Sequence, residues 1–106
     1  MITVCVSELT GAALDWAVAK CEGVVYHGPA WTKYSTDWAQ GGPIIEREGI
    51  NLDNYAKNPK WSAWTPAPDR ESGEAQAYGP TPLIAAMRCY VVSKLGDEVE
   101  IPWELK

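Results

Sequence analysis

Between Tyr34 and Ile45 the chain places two aromatics, four hydrogen-bonding side chains, a Gly-Gly-Pro step and an apolar pair side by side. Tyr34, Ser35, Thr36, Asp37, Trp38 and Gln40 offer hydroxyl, carboxylate, amide and ring groups. Such groups read the edge of a polar ligand and stack on its plane. Asp37 could serve as a general base. It reads also as a turn or helix cap whose carboxylate accepts from the backbone two residues on, and that local reading is preferred. The chain offers it no catalytic partner. The single histidine, His27, stands beside a Gly-Pro turn, and Cys5, Cys21 and Cys89 form no CxxC. There is no GxSxG elbow and no phosphate-loop pattern, so nucleophilic and metal-assisted hydrolysis lack their parts. No catalytic residue, metal ligand or cofactor is assigned, and binding is expected in preference to catalysis.

A second functional stretch is Tyr78-Gly79-Pro80-Thr81-Pro82, which leads into a helix N-terminus. Free backbone N–H groups there can receive an anion, although two prolines remove two donors. If the Tyr34 to Ile45 stretch folds against this point, Ser35, Thr36, Asp37 and Gln40 can read a polar edge while Trp38, Trp61 or Trp64 stacks. Arg88 would then pair with an anionic group. Stacking of a base on an aromatic ring contributes roughly 1–3 kcal/mol, so two such contacts and an ion pair could hold a nucleotide-sized molecule. The expected ligand-binding set is therefore Tyr34, Ser35, Thr36, Asp37, Trp38, Gln40, Trp61, Trp64, Thr81 and Arg88. The competing reading is that Ser35 to Gln40 cap a helix and that the tryptophans pack.

These residues need elements to position them. Ile2, Val4 and Val6 alternate with Thr3 and Cys5 as a first strand. A helix follows, with Thr10 as N-cap, Leu9 stapled onto Leu14, and Gly23 as its stop. Leu14, Ala17, Val18 and Cys21 share its core stripe, which leaves Trp16 to meet the middle segment, a second subunit or solvent; packing by the middle segment is favoured. Val24-Val25-Tyr26 reads as a strand closed by His27-Gly28-Pro29. Ile44 to Glu48 makes one helical turn after Pro43, or a short strand, and Ile50 with Leu52 gives a weak strand signal. Asp53 to Pro59 reads as a surface loop, Trp61 to Thr65 as an aromatic strand, and Asp69 to Gln76 as a mobile loop. A second helix runs from the Thr81-Pro82 start to the Gly96 stop, with Ile84, Met87, Val91 and Leu95 facing the core and Arg88 on the flank. Val99 and Ile101 could add an edge strand. The fold class is α+β: a small single domain spanning residues 1–106, with two main helices packed on a short, mostly antiparallel sheet.

Composition narrows the partners. Net charge is −5 over 106 residues, and no run of Lys or Arg exceeds one residue. Duplex nucleic acid binding needs a basic face, so it is not expected. Six Trp and five Tyr stand against no Phe, a choice that favours half-wet pockets and interfaces. No apolar run approaches membrane-spanning length and no leader is recognisable, which predicts a cytoplasmic protein without membrane contact. An odd set of three scattered cysteines fits reduced thiols.

Three blocks, Ser7 to Ala19, Ser35 to Ile45 and Gly79 to Val91, make the chain resemble the NinX-type family of small proteins in lambdoid and related tailed phages. The resemblance implies an accessory phage or prophage gene expressed in a bacterial host cytoplasm, among genes that often counter host defences. Joined to the residues above, it leads to a non-catalytic binding protein that sequesters a small nucleotide-like host immune signal. The alternative is a protein-interaction module that inhibits or redirects a host protein through its acidic surface and tryptophans. A nucleotide-cleaving enzyme relying on Asp37 is third. A homodimer or higher homo-oligomer stays open.

Overall fold

The computed structural model describes residues 1–54 and 60–105. Helix α3 (Pro82–Leu95) lies at its centre. Leu83, the Ala85 to Val92 run and their packing partners are buried, because the helix is clasped by a sheet on one side and by helices α1 (Gly11–Glu22) and α2 (Trp38–Glu48) elsewhere. A helix covered on several sides has no single apolar stripe. This corrects the expected stripe at its end, for Leu95 is 40% exposed. Its caps follow the sequence: Thr81 Oγ1 accepts from the Ile84 N–H at 3.1 Å, Pro82 occupies the first turn, and Gly96 ends it with a positive φ.

Two antiparallel sheets flank the helices. Strands β2 (Asn51–Asp53), β3 (Trp61–Pro66) and β4 (Glu74–Gly79) form one in the order β2-β3-β4; β1 (Ile2–Cys5) pairs with β5 (Glu98–Ile101) in the other. The β3–β4 register sets Trp61 opposite Gly79 and Trp64 opposite Gln76. Ala75, Ala77 and Gly79 face α3. Their small size permits close approach: a Cβ built on Gly79 would lie 2.7 Å from the Ala85 nitrogen. Fully buried Leu14 and Met87 each contribute roughly 1.5–3 kcal/mol by leaving water.

Several expectations change. The Asp69 to Gln76 loop is shorter than expected, since β4 begins at Glu74. Val24-Val25-Tyr26 is irregular rather than a strand, with Val24 and Val25 51% and 71% exposed. Gly23 turns the chain out of α1 in the left-handed region, the Val24 N–H bonds back to the Ala19 carbonyl, and no neighbouring strand offers a ladder. Thr10 holds the N-cap position of α1 without a side-chain capping bond. The Gly-Gly-Pro step does not break the chain; it lies inside α2. Trp16 packs half-buried against the core, with Lys20 Nζ 5.5 Å from its ring centroid. The expected Asp53 to Pro59 loop lies mostly outside the described residues, since 55–59 are not described.

Candidate functional site

The Tyr34 to Gln40 stretch is held from both ends. Asp37 caps α2, its carboxylate accepting from the Ala39 N–H at 2.9 Å. Gln40 spans two strands of loop, its Oε1 accepting from the Lys33 N–H at 2.8 Å and its Nε2 donating to the Trp31 carbonyl at 3.0 Å. Asp37 and Gln40 thus serve the local architecture. Ser35 is buried, and its N–H donates to Asp15 Oδ1 at 2.8 Å. Burial raises the Asp15 carboxyl above its ordinary value, opposed by Ser35, whose N–H bonds it. Tyr34 is half-buried on the core, and desolvation followed by the charges of Glu22 and Asp15 pushes its hydroxyl upward. Thr36 is exposed, and Trp38 is 53% exposed.

This stretch does fold against the start of α3. A Cβ on Gly41 would meet the Tyr34 carbonyl and lie 2.6 Å from Leu83 Cδ1, so only glycine lets α2 seat beside the turn that Thr81 caps. The tryptophans do not join it in one cleft. Trp61 packs half-buried on the core, while Trp64, four-tenths exposed, stands on the outer face of the sheet beside Gln76. Neither the cleft that Arg88 lines nor three smaller ones are lined by Trp38, Trp61, Trp64 or Thr81.

Arg88 alone of the expected set opens into a large cleft. This space of about 1270 Å³ runs between β4 and the Val6–Glu8 turn, with Asp97 and Glu98 at the start of β5 on its far wall. Arg88 is 8% exposed. Its Nε donates to the Leu9 carbonyl at 2.9 Å and its Nη1 to the Tyr78 carbonyl at 2.8 Å. Among the described residues no carboxylate pairs with it and Nη2 makes no hydrogen bond. Burial alone lowers its pKa, yet a guanidinium stays charged, so the cleft holds a cation whose direct partners among the described residues are two backbone carbonyls. Lys60, Gln76 and Tyr78 line the same space, and Tyr78 is 52% exposed. Asp97 is engaged by Arg70 at 3.2 Å. Three other clefts hold about 240, 350 and 500 Å³.

Gln76 escapes sequence reasoning, and Tyr78 enters it only as the lead into α3, because their strand carries Glu, two Ala and Gly, residues of poor β propensity. The one trace is alternation, with Ala75, Ala77 and Gly79 inward and Glu74, Gln76 and Tyr78 outward. Asp15 is missed as well; a carboxylate set among the apolar residues Ala12 to Ala19 is its signal.

Other chemistry is muted. Burial, then Glu22, pushes the Cys21 thiol up to about 12, and burial does the same for Cys89, which contacts the Ala75 carbonyl at 3.4 Å. Neither is a nucleophile at neutral pH. Among the described residues no group of three or more His, Cys, Asp or Glu could hold a metal, and no helix is long and apolar enough to cross a membrane.

No curated protein matches the chain. A family model described as "Bacteriophage P22, NinX" matches residues 26–94, which takes in α2, the three-stranded sheet and nearly all of α3 while leaving out β1, α1 and β5. Of the three blocks that carry the resemblance, the second and third fall inside that span and the first precedes it. The matched span covers well over half of the chain, which therefore belongs to the phage NinX family.

Proposed function

We propose that the protein is a phage accessory binding protein that takes a small anionic, nucleotide-like ligand in the cleft between β4 and the Val6–Glu8 turn. The observation that carries this reading is Arg88: a guanidinium nine-tenths buried, lining a cleft, with no carboxylate partner among the described residues. A desolvated cation gains more from an incoming phosphate or carboxylate than an exposed one does. Around it Lys60 adds a second cation, Gln76 an amide for reading a base edge, and Tyr78 a ring for stacking. Glu98 on the far wall suits a ribose hydroxyl. Binding without turnover agrees with inert thiols and with Asp37 serving as a cap. Sequestration of a host immune nucleotide is the biological form this takes in a phage accessory gene.

Calorimetric titration with cyclic di- and trinucleotides, ADP-ribose derivatives and pyrophosphate tests the reading. Heat of binding is expected with at least one of them, reduced about tenfold or more in affinity by Lys60→Ala and by Tyr78→Ala. Both side chains are exposed, so the fold survives. Absence of heat with every anion, from folded protein, overturns it.

A second reading rests on a different observation. Trp31, Trp38, Trp64 and Trp103 are 77%, 53%, 40% and 69% exposed, and indoles left in water mark protein-binding surfaces. Capture of a stoichiometric host protein, lost in Trp31→Ala or Trp38→Ala but not in Tyr78→Ala, would favour that reading.

A further inference from the structure

Four strand edges face away from a hydrogen-bonded neighbour, and three are guarded. On β4 the carbonyls of Glu74 and Tyr78 point the same way and are already occupied. Arg70 Nε and Ser72 Oγ donate to the first at 3.0 and 2.9 Å, and Arg88 Nη1 donates to the second at 2.8 Å. Strand β5 carries exposed Glu98 and Glu100 and is followed by Pro102. Strand β2 is three residues long and ends in Asp53. These are the usual devices against edge pairing. Strand β1, Ile-Thr-Val-Cys, has no charge and no proline.

The backbone parity of β1 is fixed. The Val6 N–H donates to the Asp97 carbonyl at 2.9 Å, which continues the register pairing Ile2 with Ile101 and Val4 with Val99. Even-numbered residues therefore turn their peptide groups toward β5, and Thr3 and Cys5 turn theirs outward. The core-facing side chains tell the same story: Val99 and Ile101 are 6% and 1% exposed, whereas Ile2 and Val4 stay half-exposed. What is missing lies on the β1 side.

We infer that β1 pairs antiparallel with β1 of a second copy across a two-fold axis at Thr3, joining two ribbons into a four-stranded sheet. Charge selects a second copy: a chain of net charge −5 meets itself best where it carries none, and among the described residues β1 is the one unguarded, uncharged edge. An isologous contact must be self-complementary, and this one is. With Thr3 opposite Thr3, the outward peptide groups of the two copies meet. Ile2 then faces Val4 of the other copy on the core side, covering both. A shift of one residue would set Ile2 against the solvent-facing Cys5, and a shift of two would set it against Val6, which has already left the strand for the Val6–Glu8 turn. A two-stranded ribbon is marginal alone, and doubling it removes that weakness.

Sedimentation velocity over a range of concentrations should show a dimer of the wild-type chain. Thr3→Pro removes an outward N–H and no bond to β5, and Thr3→Lys places two cations face to face; both should give monomers with unchanged far-UV circular dichroism. In a Cys5→Ser background, Thr3→Cys should form an intermolecular disulfide on mild oxidation, because directly opposite hydrogen-bonded residues have Cα atoms about 5.5 Å apart. A wild-type chain that is monomeric throughout, or a dimer that persists in both edge variants, overturns the proposal. So does failure of the cysteine variant to cross-link while dimeric. An edge reserved for a foreign strand would appear as the first of these outcomes.

Discussion

A methyl group added at Gly41 collides with the Tyr34 carbonyl and Leu83, whereas one added at Gly42 finds its nearest neighbour, the Trp38 ring, at 3.7 Å. Adjacent glycines in one helix thus answer to different physics. Gly41→Ala must push backbone or a core side chain aside and should cost about 1–3 kcal/mol. Gly42→Ala should gain about 0.5–1 kcal/mol by restricting the unfolded chain and favouring helix. Urea unfolding of the two variants checks this; equal effects would mean that α2 can slide on α3. At this scale the legible features were those set by neighbours in sequence. The Asp37 and Thr81 caps and the left-handed stop at Gly23 all belong to that class. The bonds from Ser35 to Asp15 and from Arg88 to Leu9 join residues 20 and 79 positions apart. No local pattern announces them, and so Arg88 read as a free flank residue.

At the scale of elements, α2 forms despite a proline in its interior. An interior proline costs about 3 kcal/mol in an isolated helix, so tertiary contact and the Asp37 and Gln40 bonds must offset it. Strand β4 stayed hidden for the converse reason: α3 comes so close that only Ala and Gly fit, and packing chose residues that strand propensity disfavours. The three helices are also tied by charge. Arg47 makes a two-point contact with Glu22 of α1 and pairs with Glu48, which also meets Lys94 at 3.3 Å, and the Tyr90 hydroxyl of α3 donates to Glu22. The bond to Arg47 holds the Glu22 carboxyl below its ordinary 4.5. For Glu48 burial acts in the other direction, but Arg47 and Lys94 prevail and its pKa is lowered too. A depressed folded pKa gives stability present above the ordinary value and lost as pH falls through the folded one. The urea midpoint should therefore drop as pH falls from about 5 to 3, and Arg47→Met should flatten that slope. Because Arg47 is half-exposed, the cost at neutral pH should be roughly 1 kcal/mol or less. A slope unchanged by the variant would assign acid sensitivity elsewhere.

On the scale of the whole molecule, the α+β class, both expected helices and the β5 edge strand were legible because helix punctuation and period-two alternation survive in a short chain. The candidate cleft was not, because it forms where two sheets meet around one helix and its walls come from Cys5–Ser7, Gln76–Pro80 and Asp97–Glu98. The expected site divided accordingly. Its loop half became the seat of α2 on α3, and Arg88 became the cation of a separate space. The β1–β5 pairing has a kinetic consequence. Strands β3 and β4 and helix α3 are consecutive in sequence and contact one another most, so they can assemble with little loop-closure cost. Ile2 and Ile101, by contrast, meet only after nearly the whole chain has been brought round. That ribbon should be the last part to form and the first to open, with amide hydrogens of Val4 and Val99 exchanging well before those of Met87 to Val91. Raising protein concentration should slow exchange at Thr3 and Cys5 first, since their N–H groups belong to the edge that a second copy covers. Protection at Thr3 that does not change with concentration would separate the closure of the chain from its association.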